Sequence, residues 1–166
     1  IRDIEIIEVE LILADLEVVD TRLNRIGKKA QMSKDKETLL EANLMKRLKE
    51  ALEKNIPARS LEYTEDEYKL LKSFQLLTMK PVIYVANVSE EDMKKENYDC
   101  VKQVREYAKK DHAEVIVVSA KIEEELSELE EEDKTLFLQE LGLEESGLDQ
   151  LIKATYSLLG LATYFT

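Results

Sequence analysis

Residues 80–91 read KPVIYVANVSEE, and the fold turns on how this stretch is taken. Its apolar run, residues 82–86, is led by Pro81 and ends abruptly at Asn87. A short apolar run rich in β-branched residues and bounded by breakers predicts a buried strand. About thirty residues on, the run VIVV at 115–118 ends in Ser119-Ala120-Lys121. Each run stops at a small polar cluster, and each is followed by a helical pattern. In open α/β sheets ligands bind just beyond the carboxyl ends of the strands. The two runs therefore predict one crevice, lined by the Asn87-Val88-Ser89-Glu90 and Ser119-Ala120-Lys121 loops.

Around that crevice the chain is mostly helical. Val9, Ile12, Leu16, Val19, Leu23, Ile26 and Ala30 recur at alternating steps of three and four. This 3.5-residue seam predicts one long helix over 3–32 with coiled-coil-like packing. Thirty helical residues span roughly 45 Å, more than the width of a small domain, so part of the helix is expected to project. Leu40, Leu44, Leu48 and Ala51, flanked by Met45 and Leu52, predict a second helix over 35–53. A short polar turn joins the two, which predicts an antiparallel hairpin. Thr64-x-x-Glu67 is a capping box with Tyr63 and Tyr68 as its staple. It opens a helix to about residue 78 that turns Leu70, Leu71, Phe74 and Leu77 inward. Further helices are expected over 99–110, around 136–141 and over 148–159, closed by Gly142 and Gly160. Residues 161–166 are β-prone. The helix–strand–helix–strand rhythm implies a parallel sheet.

Composition excludes several classes. A chain of 166 residues with a net charge of −12 is not, taken whole, a generic nucleic-acid binder. The single cysteine, Cys100, excludes an internal disulfide and points to a reducing, cytoplasmic setting; a buried, inert thiol is expected. No apolar run approaches the length of a membrane span, and no signal peptide is expected. The sequence starts at Ile1 inside a helical pattern and stops at Thr166 inside a strand-like one, so it reads as a piece of a longer protein. Residues 123–133 hold eight carboxylates in eleven positions and read as a solvated helical face.

Catalytic constellations are scarce. His112 stands alone in the loop before the second strand, and one His with one Cys cannot build a zinc site. Gly142 and Gly147 have the glycine spacing of a phosphate-binding loop, but Leu148 and Asp149 follow where Lys and Ser/Thr are needed. No catalytic residue and no metal ligand is assigned. The Asn87 loop is the better candidate. An Asn amide offers one acceptor and two donors, a set that reads a purine at N6/N7. An Asn at a strand end also serves as a plain turn residue, and the matching Ser119-Ala120-Lys121 cluster favours the ligand reading.

Asn87-Val88-Ser89-Glu90 after KPVIYVA, with Ser119-Ala120-Lys121 after VIVV, resembles the base-recognition half of a P-loop GTPase-type domain. That superfamily usually has Asn-Lys-x-Asp at the first position. The Asn-x-x-Glu form is similar to the YchF/Obg-like ATPase family, which prefers ATP to GTP. Asp3-Ile-Glu5 and residues 10–17 look like the entry to that family's coiled-coil insertion, and residues 137–145 and 163–166 like the end of its G domain. The resemblance implies an α/β fold: a partial P-loop NTPase (G-domain) parallel sheet with an inserted antiparallel helical hairpin. It implies residues 1–11 leading into the hairpin, 12–58 as the coiled-coil insertion, and 59–166 as the C-terminal half of the G domain.

The same resemblance implies roles. Asn87 would contact the N7/N6 edge of adenine, the Val88 carbonyl would accept from N6, and Ser119, Ala120 and Lys121 would surround the base. Glu90 would either support the loop or touch the ligand. ATP is the implied ligand. The family's phosphate-binding loop, its switch segments and its magnesium ligands precede residue 1, and its TGS domain follows Thr166. The chain as given is therefore not expected to hydrolyse ATP, and its sheet edge would invite self-association.

Charge is unevenly spread. Between Asp20 and Ser60 stand eleven Lys and Arg against six Asp and Glu, a balance of +5, while the remainder carries −17. Arg22, Arg25, Lys28, Lys29, Lys34 and Lys36 cluster toward the hairpin tip. This patch reads either as solvated helix faces or as a contact for RNA phosphate. The family's association with ribosomes favours the second. The rival to the ATPase reading is thus a non-enzymatic RNA-, ribosome- or protein-binding module with the hairpin as its working end. A purely structural helical piece is the weakest alternative, and a parallel sheet refutes it.

Overall fold

A computed structural model describes residues 1–32, 35–93 and 99–161, with the backbone alone described at 27–32. It divides into two compact units, Ile1–Pro81 and Val82–Thr166.

The first unit is built on the hairpin. Helix α1 runs Arg2–Met32 and α2 runs Lys36–Leu52. Asp35 caps α2, its carboxylate accepting from the Thr38 N–H at 3.1 Å. Asp20 pairs with Lys49 and Arg22 with Glu41, so the later residue in α1 meets the earlier one in α2 and the helices run antiparallel. Ile12, Val19 and Ile26 of α1 close on Leu44, Met45, Leu48 and Leu52 of α2. Burying each of these side chains stabilises the unit by about 1.5–3 kcal/mol. Among the described side chains the expected seam holds with two changes, and the side chain of its last member, Ala30, lies outside them. Val9 lies outside the buried stripe, and Asp15, a charged residue, lies inside it at 1 % exposure.

Asp15 explains the end of this unit. Helix α3, Glu65–Phe74, opens on the expected capping box between Thr64 and Glu67. It stops four residues earlier than the apolar pattern predicts, because Gln75 adopts a left-handed conformation at φ 50°. The turn shifts the phase of the next residues. Leu77, expected inward, is exposed, and Leu76 and Thr78 are buried instead. A 3₁₀ turn, Leu77–Met79, then settles on Asp15. The carboxylate accepts from the Leu77 and Thr78 N–H groups, both at 2.7 Å, and from the Thr78 hydroxyl at 2.6 Å. Thr78 Oγ1 in turn accepts from the Ala58 N–H at 3.0 Å.

Tyr63 is half-buried beside this core, its hydroxyl donating to the Ala58 carbonyl at 2.7 Å and its ring under Arg47. Burial pushes its phenol up to about 12, with Glu67 adding to the rise and Arg47 opposing it. Folding therefore favours the neutral phenol. That contribution is complete below the ordinary value of 10.0 and is lost as pH rises through about 12. An ultraviolet tyrosinate titration is expected to show a phenol ionising only near pH 12, and Tyr63→Phe is expected to remove that step.

The second unit holds the sheet. Strand β1, Ile83–Asn87, lies parallel to β2, Glu114–Val118, in the register Ile83↔Glu114 to Asn87↔Val118. The parallel pair refutes the purely helical reading. Between the strands come a short helix α4, Glu90–Met93, and α5, Asp99–Ala108. After β2 come α6, Ala120–Ser127, α7, Glu131–Leu141, and α8, Gly147–Leu159. Gly142 and Gly160 end the last two in left-handed conformations, as expected from their positions.

Helix α5 packs on both strands, its Tyr107 meeting Tyr84 edge-on at 6.1 Å. Helix α8 packs on β2. The cover is uneven, with β2 packed by both helices and β1 by α5, and it corrects the expectation of two buried strands. Ile116 is buried, but Val85, its partner in register, is 47 % exposed. The thiol of Cys100, expected buried, is also exposed, since it lies in the first turn of α5 next to the buried Val101. The β-prone residues 162–166 lie outside the described residues.

Gly147 packs closely against β2. Its N–H donates to the Glu123 carboxylate at 2.7 Å, and a Cβ placed there would sit 2.7 Å from Val118 Cγ1. Gly147→Ala is expected to cost about 1–2 kcal/mol, since overpacking outweighs the small helix-propensity gain at a first-turn position. A lowered thermal midpoint measures it.

Candidate functional site

The cleft sits where both strands end. The ladder continues one step past β1, the Val88 N–H donating to the Val118 carbonyl at 2.8 Å. The two strands therefore leave the sheet side by side, as loops that turn at once into helices. Ser89 makes the first of these turns. Its hydroxyl accepts from the Asp92 N–H at 3.3 Å and donates to the Asp92 carboxylate at 2.7 Å, which opens α4. Ser119 stands at the N-cap of α6. The two turns face an open cleft of about 560 Å³ lined by Asn87, Val88, Ser89, Glu90, Glu91, Ser119, Ala120 and Lys121.

Each sequence-derived base-loop residue lies on that cleft. Asn87 reaches across to the other loop, its Oδ1 accepting from the Ala120 N–H at 3.0 Å. This bond orients the amide and leaves its NH₂ donors for a ligand. Ser119 is 1 % exposed, and its hydroxyl has no hydrogen-bond partner. A buried hydroxyl without a partner is costly, and most such groups in native proteins are satisfied. Ser119 is one of the residues that line the cleft.

Lys121 lines the same cleft. Its ammonium lies 3.4 Å from Glu90 Oε2 and 3.7 Å from Glu125 Oε1. The hydrogen bond and charge of Glu90, joined by Glu125, raise its pKa above the usual lysine value. Sequence reading missed this pair. The signal lies in the register: Asn87 is opposite Val118, so Glu90 and Lys121 are each three residues beyond matched strand ends.

The hairpin residues fall into three groups. Arg22 is engaged within the unit, paired with Glu41 and stacked 5.3 Å over Phe74. Arg25 and Lys36 are exposed. The side chains of Lys28, Lys29 and Lys34 lie outside the described residues. Among the described residues no group of His, Cys, Asp and Glu could hold a metal ion, and no helix is long and apolar enough to cross a membrane.

No protein-family model matches the chain. Single relatives do. It is 57 % identical, over its full length, to the ribosome-binding ATPase YchF of Bacillus subtilis. The chain belongs to the YchF/Obg-like family. The YchF protein of Haemophilus influenzae is 43 % identical over 99 % of the chain. The solved YchF GTPase of Schizosaccharomyces pombe superposes with a TM-score of 0.84 at 26 % identity, over 95 % of the chain. The chain spans 45 %, 44 % and 43 % of these three proteins respectively. The YchF match agrees with the α/β reading, a partial P-loop NTPase fold with an open parallel sheet and a helical hairpin.

Proposed function

We propose that the loops after β1 and β2 read the adenine of ATP for a nucleoside triphosphatase that prefers ATP to GTP. The cleft supports this reading most directly: a tethered Asn87 amide and an unpartnered, buried Ser119 hydroxyl converge at the carboxyl ends of two parallel strands. With Oδ1 held by Ala120, the Asn87 NH₂ faces a purine N7, and the Val88 carbonyl accepts from N6. Ser119, Ala120 and Lys121 form the facing wall, and Glu90 supports its loop. Hydrolysis itself depends on phosphate positioning and electrostatics, for which these loop residues offer no groups; their task is to bind and orient the base. We assign residues 12–58 to the inserted hairpin, with 1–11 leading into it and 59–166 as the C-terminal half of the G domain, in a cytoplasmic protein.

The names of the relatives divide between ATPase and GTPase. Base preference is therefore the quantity to measure. Competition of ATP and GTP for the full-length protein is expected to favour ATP by about tenfold or more. Equal affinities would remove the adenine reading.

A second interaction is proposed for the hairpin, as an arm for RNA or the ribosome. Its +5 balance on an acidic chain supports this, as do relatives named ribosome-binding. RNA binding is expected to weaken linearly in log–log salt plots, and Lys28→Glu with Lys29→Glu to flatten the slope. No binding at low salt rules the arm out.

A further inference from the structure

We infer that the outward face of α3, carrying Tyr68, Lys69 and Lys72, binds single-stranded RNA, stacking a base on Tyr68 and holding phosphates with the two lysines. The inference rests on the RNA reading of the hairpin. It extends that contact onto a helix whose residues lie outside the basic Asp20–Ser60 stretch.

Three observations carry it. The capping box predicts Tyr63 and Tyr68 as its staple. Tyr63 packs against the core as that role requires, whereas Tyr68 stays 48 % exposed. Helix α3 turns Leu71 inward, and Tyr68, Lys69 and Lys72 are all exposed on its outer side. Tyr68 and Lys72 stand at i and i+4, and the Lys72 ammonium lies 5.2 Å from the centre of the ring. A cation thus stands beside the surface on which a base would stack. Lys69 of α3 and Lys36 of α2 line one groove of about 510 Å³, with Leu40 and Leu70 as its apolar lining. Lys36 belongs to the proposed arm, so the α3 face is continuous with it.

The charges decide which kind of RNA fits. Glu37 and Asp66 also line the groove. Asp66 lies 3.5 Å from Lys69, but the two side chains are 77 % and 73 % exposed. Such a pair is worth little in water, so a phosphate can displace it. Two carboxylates against two lysines mean that charge alone does not retain RNA in the groove. The tyrosine ring and the leucines supply what charge does not, and both act on an unpaired base. Every base has a π-face to offer, while a duplex keeps its bases stacked on one another. A protein partner would use the same apolar lining, and the test separates the two.

Binding of a labelled, unstructured RNA to the full-length protein is followed by fluorescence anisotropy across a salt series, with thermal midpoints to show that each variant is folded. Tyr68→Ala is expected to weaken binding by about tenfold and to leave the slope of log affinity against log salt unchanged, because a stacking contact carries no charge. Tyr68→Phe keeps the ring and is expected to bind as the parent does. Lys69→Gln with Lys72→Gln is expected to flatten the slope by about 1.4, at roughly 0.7 per phosphate contact on a single strand. A Tyr68→Ala protein that binds RNA as tightly as the parent, or a Tyr68→Phe protein that loses as much as Tyr68→Ala, overturns the inference. So does a loss of ribosome binding with RNA affinity intact, which assigns the face to a protein. If Lys28→Glu with Lys29→Glu changes nothing while Tyr68→Ala weakens RNA binding, the arm falls and the α3 face stands; the reverse keeps the arm and removes the face. A parent that binds no RNA at low salt removes both.

Discussion

Replacing Asp15 with alanine is expected to destabilise the helical unit by about 3–5 kcal/mol. The side chain is buried in the apolar face of α1, and both its oxygens are used. Its removal strands two backbone N–H groups, at Leu77 and Thr78, in a site that water cannot readily reach. Each buried, unpaired donor costs about 1–3 kcal/mol. The damage also spreads. Thr78 Oγ1 donates to Asp15 and accepts from the Ala58 N–H, so one carboxylate indirectly holds a second turn, Ala58–Ser60. Asp15→Asn preserves shape but turns an NH₂ toward donors, and is expected to cost nearly as much. Thr78→Val removes one hydroxyl and is expected to cost less. The two sites share a hydrogen bond, so the double variant should lose less than the sum of the singles. Chemical denaturation gives these values. Amide exchange at Leu77 and Thr78 localises them: both N–H groups should become the fastest-exchanging in the turn once Asp15 is gone.

The Asp15 network was the least legible part of the chain, and the reason is physical. Periodicity assigns faces by hydrophobicity, and an aspartate between Ile12 and Leu16 reads as an ordinary surface position. Its partners lie more than sixty residues away, on a 3₁₀ turn that no local pattern announces. The stop of α3 was hidden for a related reason. Gln75 adopts a conformation usually left to Gly or Asn, so the breaker carries no signature. By contrast, Thr64, Gly142 and Gly160 end or open helices by local chemistry alone, and each sits where its residue type predicts. The site was legible because its strands are short apolar runs cut off by Asn87 and Ser119. What could not be read was pairing across the gap: that Asn87 grips the Ala120 amide, and that Glu90 meets Lys121.

That grip separates folding from binding. In Asn87→Asp, the retained oxygen still accepts from the Ala120 N–H, and its added charge strengthens the bond. The helix α6 begins there, and a negative charge beside its first turn is favourable. The variant should therefore fold at least as well as the parent. Its second oxygen, however, replaces the NH₂ that is proposed to donate to the purine N7. Two lone-pair atoms then face each other in the cleft. The expected result is a loss of ATP affinity of about tenfold or more, with no fall in thermal midpoint, since replacing a donor by an acceptor that faces N7 costs about 1–3 kcal/mol. Asn87→Ala loses both bonds. It should weaken ATP to a similar degree while also lowering stability slightly, because the Ala120 N–H turns to solvent. The contrast is the informative part. Equal melting behaviour in the two variants would mean that the Ala120 bond contributes nothing to the fold. Retained ATP affinity in Asn87→Asp would mean that the amide donors do not reach the base.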